Sequence, residues 1–377
     1  MNILFYIDRY PGVGGIENVS TTIINELRKK HNVYVISHFA QQGCEIPCEI
    51  KVFFMPNPTT YLAQENEDFY LALLKLLSID KVIYQDSYGP TESIVCKSSE
   101  ILNIPVYVFE HNSPLFIYNK RNLDPIYTLK GFGRRVCHPY LLYKEKKRKR
   151  YLLKYAAKYV LLSKNYIPEF CNLVGASIND NRITYINNPI RSIVFQPIPK
   201  ENIVLCVSRL AKEKRVDAMI RLWSMIESKL PDWQFLIVGD GPERSKLEAL
   251  VNDNKIPRIA FLGFTNPTEY YKKAKIFWMT SKYEGWPMTL IETMQYGCIP
   301  IAYSSFSSLL DIIDDNINGF VIKNNDSTSF LEKTLELATD DNKMDCFRNS
   351  AVKKVENFEL EKVLVSWATL LNIELSD

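Results

Sequence analysis

Short apolar runs alternate with stretches of helical spacing along the whole chain. In the first half the runs are Ile3–Ile7, Val33–Ser37, Ile50–Met55, Lys81–Gln85, Val106–Phe109, Tyr159–Leu162 and Ile183–Ile186, rich in Val, Ile, Tyr and Phe. Near-continuous apolarity over so few residues predicts parallel strands covered on both faces. Helical spacing over Glu17–Lys30 and Glu65–Leu77 supplies the covers, so the pattern predicts a doubly wound sheet.

The pattern then restarts. Residues 187–202 (NNPIRSIVFQPIPKEN) carry three prolines and no periodicity, which predicts a linker. After it come strands over Ile203–Val207, Gln234–Val238, Ile259–Leu262, Ile276–Met279 and Pro300–Ala302. Helices over Val216–Ser228, Pro242–Asn252, Thr268–Lys273 and Met288–Tyr296 alternate with them, and helices run on to the end. Two α/β halves in tandem place a cleft between two sets of strand carboxyl ends, where such sheets bind ligands.

A chain of 377 residues suits two domains, and 46% hydrophobic with 24% charged content is globular. No apolar run reaches the length of a membrane span. The start, MNILFYIDRY, reads as a first strand rather than a signal peptide. The eight cysteines are scattered, and Cys44 with Cys48 lacks the second pair a zinc site needs, so reduced thiols in a cytoplasmic protein are expected. The net charge of +3 conceals an asymmetry: Lys120–Lys158 holds thirteen Lys/Arg against Asp124 and Glu145, or +11, leaving 3 − 11 = −8 elsewhere. A uniform basic coat of the nucleic-acid-binding kind is therefore excluded.

Chemistry gathers at the predicted strand ends. In SKYEGWPMTLIETMQYGCIP, Gly285 and Pro287 take Glu284 off the following helix, while Glu292 lies within it. The two carboxylates can hold different parts of one ligand, and the amides of Met288, Thr289 and Leu290 open an anion site at the helix start. Gly12, Gly14 and Gly15 separate the first strand from its helix and let backbone amides approach a phosphate, though the spacing is no GxGxxG fingerprint. Arg209, Lys212, Lys214 and Arg215 follow the first strand of the second half, offering fixed cations to a diphosphate leaving group. No Asp-x-Asp follows a strand to hold a metal, so no metal or cofactor is expected. His111 ends a strand beside Asn112 and Ser113, and Asp240–Gly241 ends another.

In this order the motifs resemble a known family. EGWPMTLIE (284–292) is similar to the E-x7-E motif of the retaining glycosyltransferases of family 4, which have the GT-B fold. PGVGGIENV (11–19), EHNSP (110–114), SRLAKEKRVD (208–217) and VGDGPER (238–244) resemble that family's glycine loop, strand-end histidine, phosphate motif and nucleotide-side loop. The resemblance is strong over 200–325 and motif by motif over 1–190. It implies a GT-B architecture: an acceptor domain over 1–190, a nucleotide-sugar donor domain over 200–355, and a terminal segment, 356–377, packing back on the first. Glu284 would then grip donor-sugar hydroxyls and Glu292 the ribose, with Trp286 and Pro287 in the turn beside the sugar. Arg209, Lys214, the Gly14–Gly15 loop and the 288–290 amides would meet the diphosphate, Asp240 and Gly241 would flank the base, and His111 would serve from the first domain. Lys214 is chosen over Lys212 and Arg215 by the family's spacing. The leaving phosphate itself would take the acceptor's proton on the same face, so that configuration is retained.

One feature falls outside those motifs. Lys144, Lys146, Lys147, Arg148, Lys149 and Arg150 crowd into seven positions, and Leu152, Tyr155, Ala156 and Tyr159 follow at helical spacing. Upstream, Arg134 and Arg135 interleave with Phe132, Tyr140, Leu141 and Leu142. Basic and aromatic residues together fit an anionic headgroup plane or a lipid-linked diphosphate acceptor. The sequence therefore predicts a metal-independent retaining transferase, using a nucleotide sugar (UDP favoured) and a lipid-linked glycan at the inner face of the plasma membrane, with no nucleic acid as partner. An inverting transferase or epimerase of the same fold, or a nucleic-acid binder using the 144–150 run, is the alternative.

Overall fold

The computed structural model describes residues 1–46, 48–86, 90–121, 123–194 and 198–375. It contains two parallel sheets. The first has seven strands in the order β3-β2-β1-β4-β5-β6-β7. These are β1 (Asn2–Tyr6), β2 (Asn32–Ser37), β3 (Lys51–Phe54), β4 (Lys81–Asp86), β5 (Val106–Glu110), β6 (Ala156–Leu161) and β7 (Ile183–Tyr185). The second has six in the order β10-β9-β8-β11-β12-β13: β8 (Glu201–Val207), β9 (Gln234–Val238), β10 (Ile259–Gly263), β11 (Ala274–Met279), β12 (Ile299–Tyr303) and β13 (Phe320–Ile322). In both sheets the winding reverses beside the first strand, between β1 and β4 and between β8 and β11. That reversal splays the flanking helices apart and opens a crevice at the strand carboxyl ends.

The chain divides into two compact units. One comprises Met1–Tyr118, Gly133–Pro189 and Glu361–Asp377; the other comprises Asn119–Phe132 and Ile190–Leu360. In the first unit, Tyr6 meets Tyr70 and Tyr84 edge-on at 5.7 and 5.6 Å. The terminal helix Leu360–Leu371 brings Trp367 flat onto Phe109, with centroids 4.3 Å apart and planes at 8°. Trp367 also meets Phe5 at 6.2 Å, and Lys81 donates to the Leu371 carbonyl at that helix's end. The second core is built around Trp223, Trp278, Phe235 and Phe330, all fully buried.

Some local expectations are corrected. The basic helix runs Leu129–Tyr155 and stops there; Ala156 and Tyr159 belong to β6, where Tyr159 lies between Val108 and Ile183. Helical spacing continues past the boundary because the strand is itself apolar. The helix after β9 starts at Arg244, not Pro242. Strand β13 lies outside the sequence expectations, since three residues are too few to show a period; Gly319 ahead of it leaves no room for a Cβ, which would fall 2.6 Å from the Pro300 carbonyl. Of the expected linker, 195–197 lie outside the described residues, and β8 already begins at Glu201.

Candidate active site

At the reversal point of the second sheet, β8 leads into Ser208–Arg215 and β11 into Thr280–Pro287. Hydrogen bonds stitch the two loops together. The Thr280 hydroxyl donates to the Arg215 carbonyl at 2.8 Å, and the Lys282 amide donates to the Glu213 carbonyl at 2.7 Å. Arg215 accepts a left-handed backbone, φ 53°, to enter the helix Val216–Ile226. Across the junction Lys214 Nζ reaches both oxygens of Glu284, at 2.6 and 2.8 Å. The two side chains are 22% and 13% exposed, so the pair is sheltered but open to a ligand. The rival cations are engaged elsewhere: Lys212 with Asp124, and Arg215 with Asn324 and Asn325 at 3.0 and 2.6 Å. Arg209, on the same loop, pairs with Glu213 and is 67% exposed.

Glu292 lies in the helix Met288–Gln295. The Tyr271 hydroxyl donates to its Oε2 at 2.8 Å. Burial raises the carboxyl above its usual range, and the tyrosine bond only partly offsets this. Tyr271 is fixed in turn from behind, because Lys200 donates to its carbonyl at 2.9 Å and to that of Tyr296 at 2.6 Å.

Two donor-side expectations need correction. Trp286 is 6% exposed and packs edge-on against Phe358 at 5.2 Å, so it is a core residue rather than a wall facing a sugar. Leu290 is fully buried and its amide donates to the Pro287 carbonyl at 3.0 Å. The helix has no side-chain N-cap, which leaves the Met288 and Thr289 amides as its anion-facing donors.

The loop after β9 comes close to the phosphate loop. Leu210 donates to the Asp240 carbonyl at 2.9 Å. Gly239 has φ 130°, and a Cβ there would stand 2.0 Å from the Ser208 carbonyl oxygen. Asp240 is held below the usual carboxylate range by the Gly241 amide and by Arg244. Gly239→Ala is expected to cost roughly 2–4 kcal/mol, a strained-backbone effect. Denaturant unfolding measures the cost, and an unchanged midpoint would show that the loop yields freely.

In the first unit, Gly14 caps the helix Gly15–Leu27. A Cβ on Gly14 would lie 2.2 Å from Glu17 Oε2, and Glu17 is buried and bound by Arg9 at 2.8 and 3.0 Å. A side chain on Gly14 would therefore displace the Glu17 carboxylate from its place against Arg9, whereas Gly15 faces open space. His111 follows β5 and bonds Gln85 through Nε2. The run 144–150 lies on the helix Leu129–Tyr155. Lys144 and Lys147 are exposed or nearly so, Lys146 is half-buried, and Arg150 donates to the Val174 carbonyl at 2.6 Å. Arg134 and Arg135 are half-buried on the same helix. Arg148 lies 3.5 Å from Glu92. Lys149 is 2% exposed and ion-pairs Glu110, whose other oxygen accepts from Tyr159 at 2.7 Å. It is a core cation and does not face a membrane. Beside the helix lies a cavity of about 640 Å³ whose lining mixes Tyr140 and Leu141 with the cations Lys144, Lys147 and Arg148 and the carboxylates Glu92, Glu110 and Glu145. Among the described residues no cluster of His, Cys, Asp or Glu is arranged to hold a metal, and no helix is long and apolar enough to cross a membrane.

Residues 191–354, nearly the whole second unit, match the family model of glycosyl transferases group 1. The second unit carries the match to group 1 glycosyl transferases, and the two-sheet fold is that of GT-B glycosyltransferases. The chain is 27% identical over 370 residues, 95% of each chain, to a Campylobacter jejuni enzyme, the GalNAc-alpha-(1->4)-GalNAc-alpha-(1->3)-diNAcBac-PP-undecaprenol alpha-1,4-N-acetyl-D-galactosaminyltransferase. In fold it is similar to the Anabaena protein HepE solved with UDP, with TM-score 0.76 and 16% identity over 99% of this chain and 100% of that one. It is likewise similar to the lipopolysaccharide outer core galactosyltransferase WaaB, with TM-score 0.75 and 20% identity over 99% of both.

Other polar residues at strand ends or against the site are not singled out by the sequence. Asp8, two residues beyond β1, is raised above its usual range by burial. His38 accepts from or donates to the Tyr6 hydroxyl at 2.7 Å, and burial lowers its imidazole to about 4, leaving it neutral at physiological pH. The strand-end rule that selects His111 points equally to both. Tyr271 carries no such signal, since its partner Glu292 is 21 positions away.

Proposed function

We propose that the chain is a retaining glycosyltransferase that moves a sugar from a UDP-sugar to a lipid-linked glycan at an anionic membrane surface. The observation that carries this is the Lys214–Glu284 pair at the reversal point of the second sheet. A cation for the diphosphate and a carboxylate for the sugar hydroxyls stand in contact there. As the bond from the anomeric carbon to the phosphate oxygen breaks, negative charge grows on the diphosphate, and Lys214, Arg209 and the Met288 and Thr289 amides meet it without a metal. The acceptor oxygen bonds that carbon from the same face, and its proton passes to the departing phosphate oxygen. Glu292, with one oxygen held by Tyr271, accepts from the ribose, Asp240 and Gly241 flank the base, and His111 takes a sugar hydroxyl. UDP in the HepE structure and the undecaprenol diphosphate named for the Campylobacter relative support the donor and acceptor classes. Of the cations lining the cavity, Arg148 is paired with Glu92 and Glu145, so the exposed Lys144 and Lys147 are the ones that would meet an acceptor diphosphate or anionic headgroups.

One observation favours a second reading. Asp8, a strand-end carboxyl raised by burial, has the character of the general base that an inverting displacement needs. The anomeric configuration of the product, followed by NMR, separates the two. Retention with activity surviving Asp8→Asn is expected; an inverted product with Asp8→Asn inactive would overturn the retaining reading. Calorimetry with UDP against GDP tests the base, and stronger GDP binding would overturn UDP.

A further inference from the structure

Residues 123–128 form a braced turn that runs into the first residues of the helix Leu129–Tyr155, all within the C-terminal unit as far as Phe132. At its base Asp124, 3% exposed, ion-pairs Lys212 in the turn that leads to Lys214. Thr128 closes the middle: its hydroxyl donates to the Pro125 carbonyl at 2.7 Å and accepts from the Gly131 amide at 3.0 Å. The Phe132 amide returns to the Thr128 carbonyl at 2.8 Å. A Cβ on Gly131 would fall 1.9 Å from the Pro125 oxygen, so the turn is too tight for any residue but glycine. This backbone holds four large apolar side chains in water: Ile126 is 59% exposed, Tyr127 87%, Leu129 95% and Phe132 61%. Single exposed apolar residues are ordinary, but several within seven positions of a fixed turn and the helix start that follows it mark a binding surface.

Charge identifies the occupant. The acid in the loop, Asp124, is buried against Lys212, while Lys120, Arg121 and Lys130 flank the apolar tip along the chain. An apolar tip carrying a tyrosine between cations matches the depth profile of an anionic bilayer: acyl chains below, interface next, phosphates above. We propose that Ile126, Tyr127, Leu129 and Phe132 form a wedge by which the C-terminal unit inserts into an anionic lipid bilayer, with Lys120, Arg121 and Lys130 on the headgroup phosphates. The wedge rests on the membrane association proposed above but differs from it physically. Attraction through Lys144–Lys147 is screened by salt, whereas inserted apolar side chains keep their hold.

The test uses the full chain and vesicles of phosphatidylcholine with phosphatidylglycerol. Tyr127→Trp adds an indole at the tip, and vesicles with brominated acyl chains are expected to quench it beyond the quenching seen in the parent protein. Ile126→Ser with Leu129→Ser is expected to weaken vesicle partitioning by about tenfold or more, with UDP affinity unchanged as evidence of an intact fold. Lys146→Glu with Lys147→Glu reports on the basic face separately. Vesicle binding that is lost in the charge variant, yet unaltered by the serine pair and with the added indole unquenched, overturns the wedge and leaves the membrane reading standing. No vesicle binding by the parent protein overturns both. Self-association of the parent that the serine pair abolishes, again without vesicle binding, also overturns the wedge, in favour of a loop that docks on protein.

Discussion

Glu284→Gln is expected to lower turnover about 10²–10³-fold while UDP binding is kept or tightened. The substitution preserves shape and removes charge. Two consequences follow from the contact of Glu284 with Lys214 at 2.6 and 2.8 Å. The sugar hydroxyls lose an ionised acceptor whose hydrogen bonds strengthen as the anomeric centre becomes electron-poor. Lys214, released from its partner, becomes a fuller cation for the diphosphate, which favours UDP as product as much as it favours catalysis. Calorimetry and initial rates together separate the effects. Full turnover in the variant would remove Glu284 from the chemistry, whereas loss of UDP affinity along with turnover would indicate that the loop had collapsed. Because a sheltered ion pair broken from one side leaves an uncompensated charge, some loss of stability accompanies the change.

Trp367→Ala is expected to cost the first unit about 3–5 kcal/mol. The indole is 3% exposed, stacked on Phe109 at 4.3 Å and close to Phe5, and both rings lie in strands of the first sheet. Denaturant unfolding should show the midpoint of this unit falling while UDP binding, proposed for the other unit, persists. An unchanged midpoint would show that the helix contributes little to the first core.

The sheets and the donor motifs are legible in the sequence for one physical reason. Parallel strands buried on both faces are written as apolar runs, and the loops at their carboxyl ends are where polar residues interrupt them. Glu284 and the cations of 209–215 stand out on that basis, whereas the choice of Lys214 among them and the role given to Glu292 come from the resemblance to the family. The failures share a reason too. Whether Lys149 faces water or Glu110 depends on a partner 39 positions away, and a cluster of cations reads the same in either case. Trp286 stands in a polar turn, so its burial against Phe358 is invisible until the turn's direction is known. Tyr271 and Asp8 act through contacts or burial that composition does not encode. The pairing of Asp124 with Lys212 spans 88 positions and joins residues that the sequence assigns to different halves.

The first unit needs residues from the end of the chain, and the second takes residues 119–132 from the middle of the first. During synthesis the first sheet therefore leaves the ribosome with Phe5 and Phe109 uncovered. It completes its core only after Trp367 emerges, when the second unit has already been made. Asp124 likewise waits for Lys212. Neither half is a finished product of its own stretch of message, and a fragment cut at residue 190 leaves both aromatic rings without their cover. Folding of this chain thus closes in the reverse of the order in which it is read.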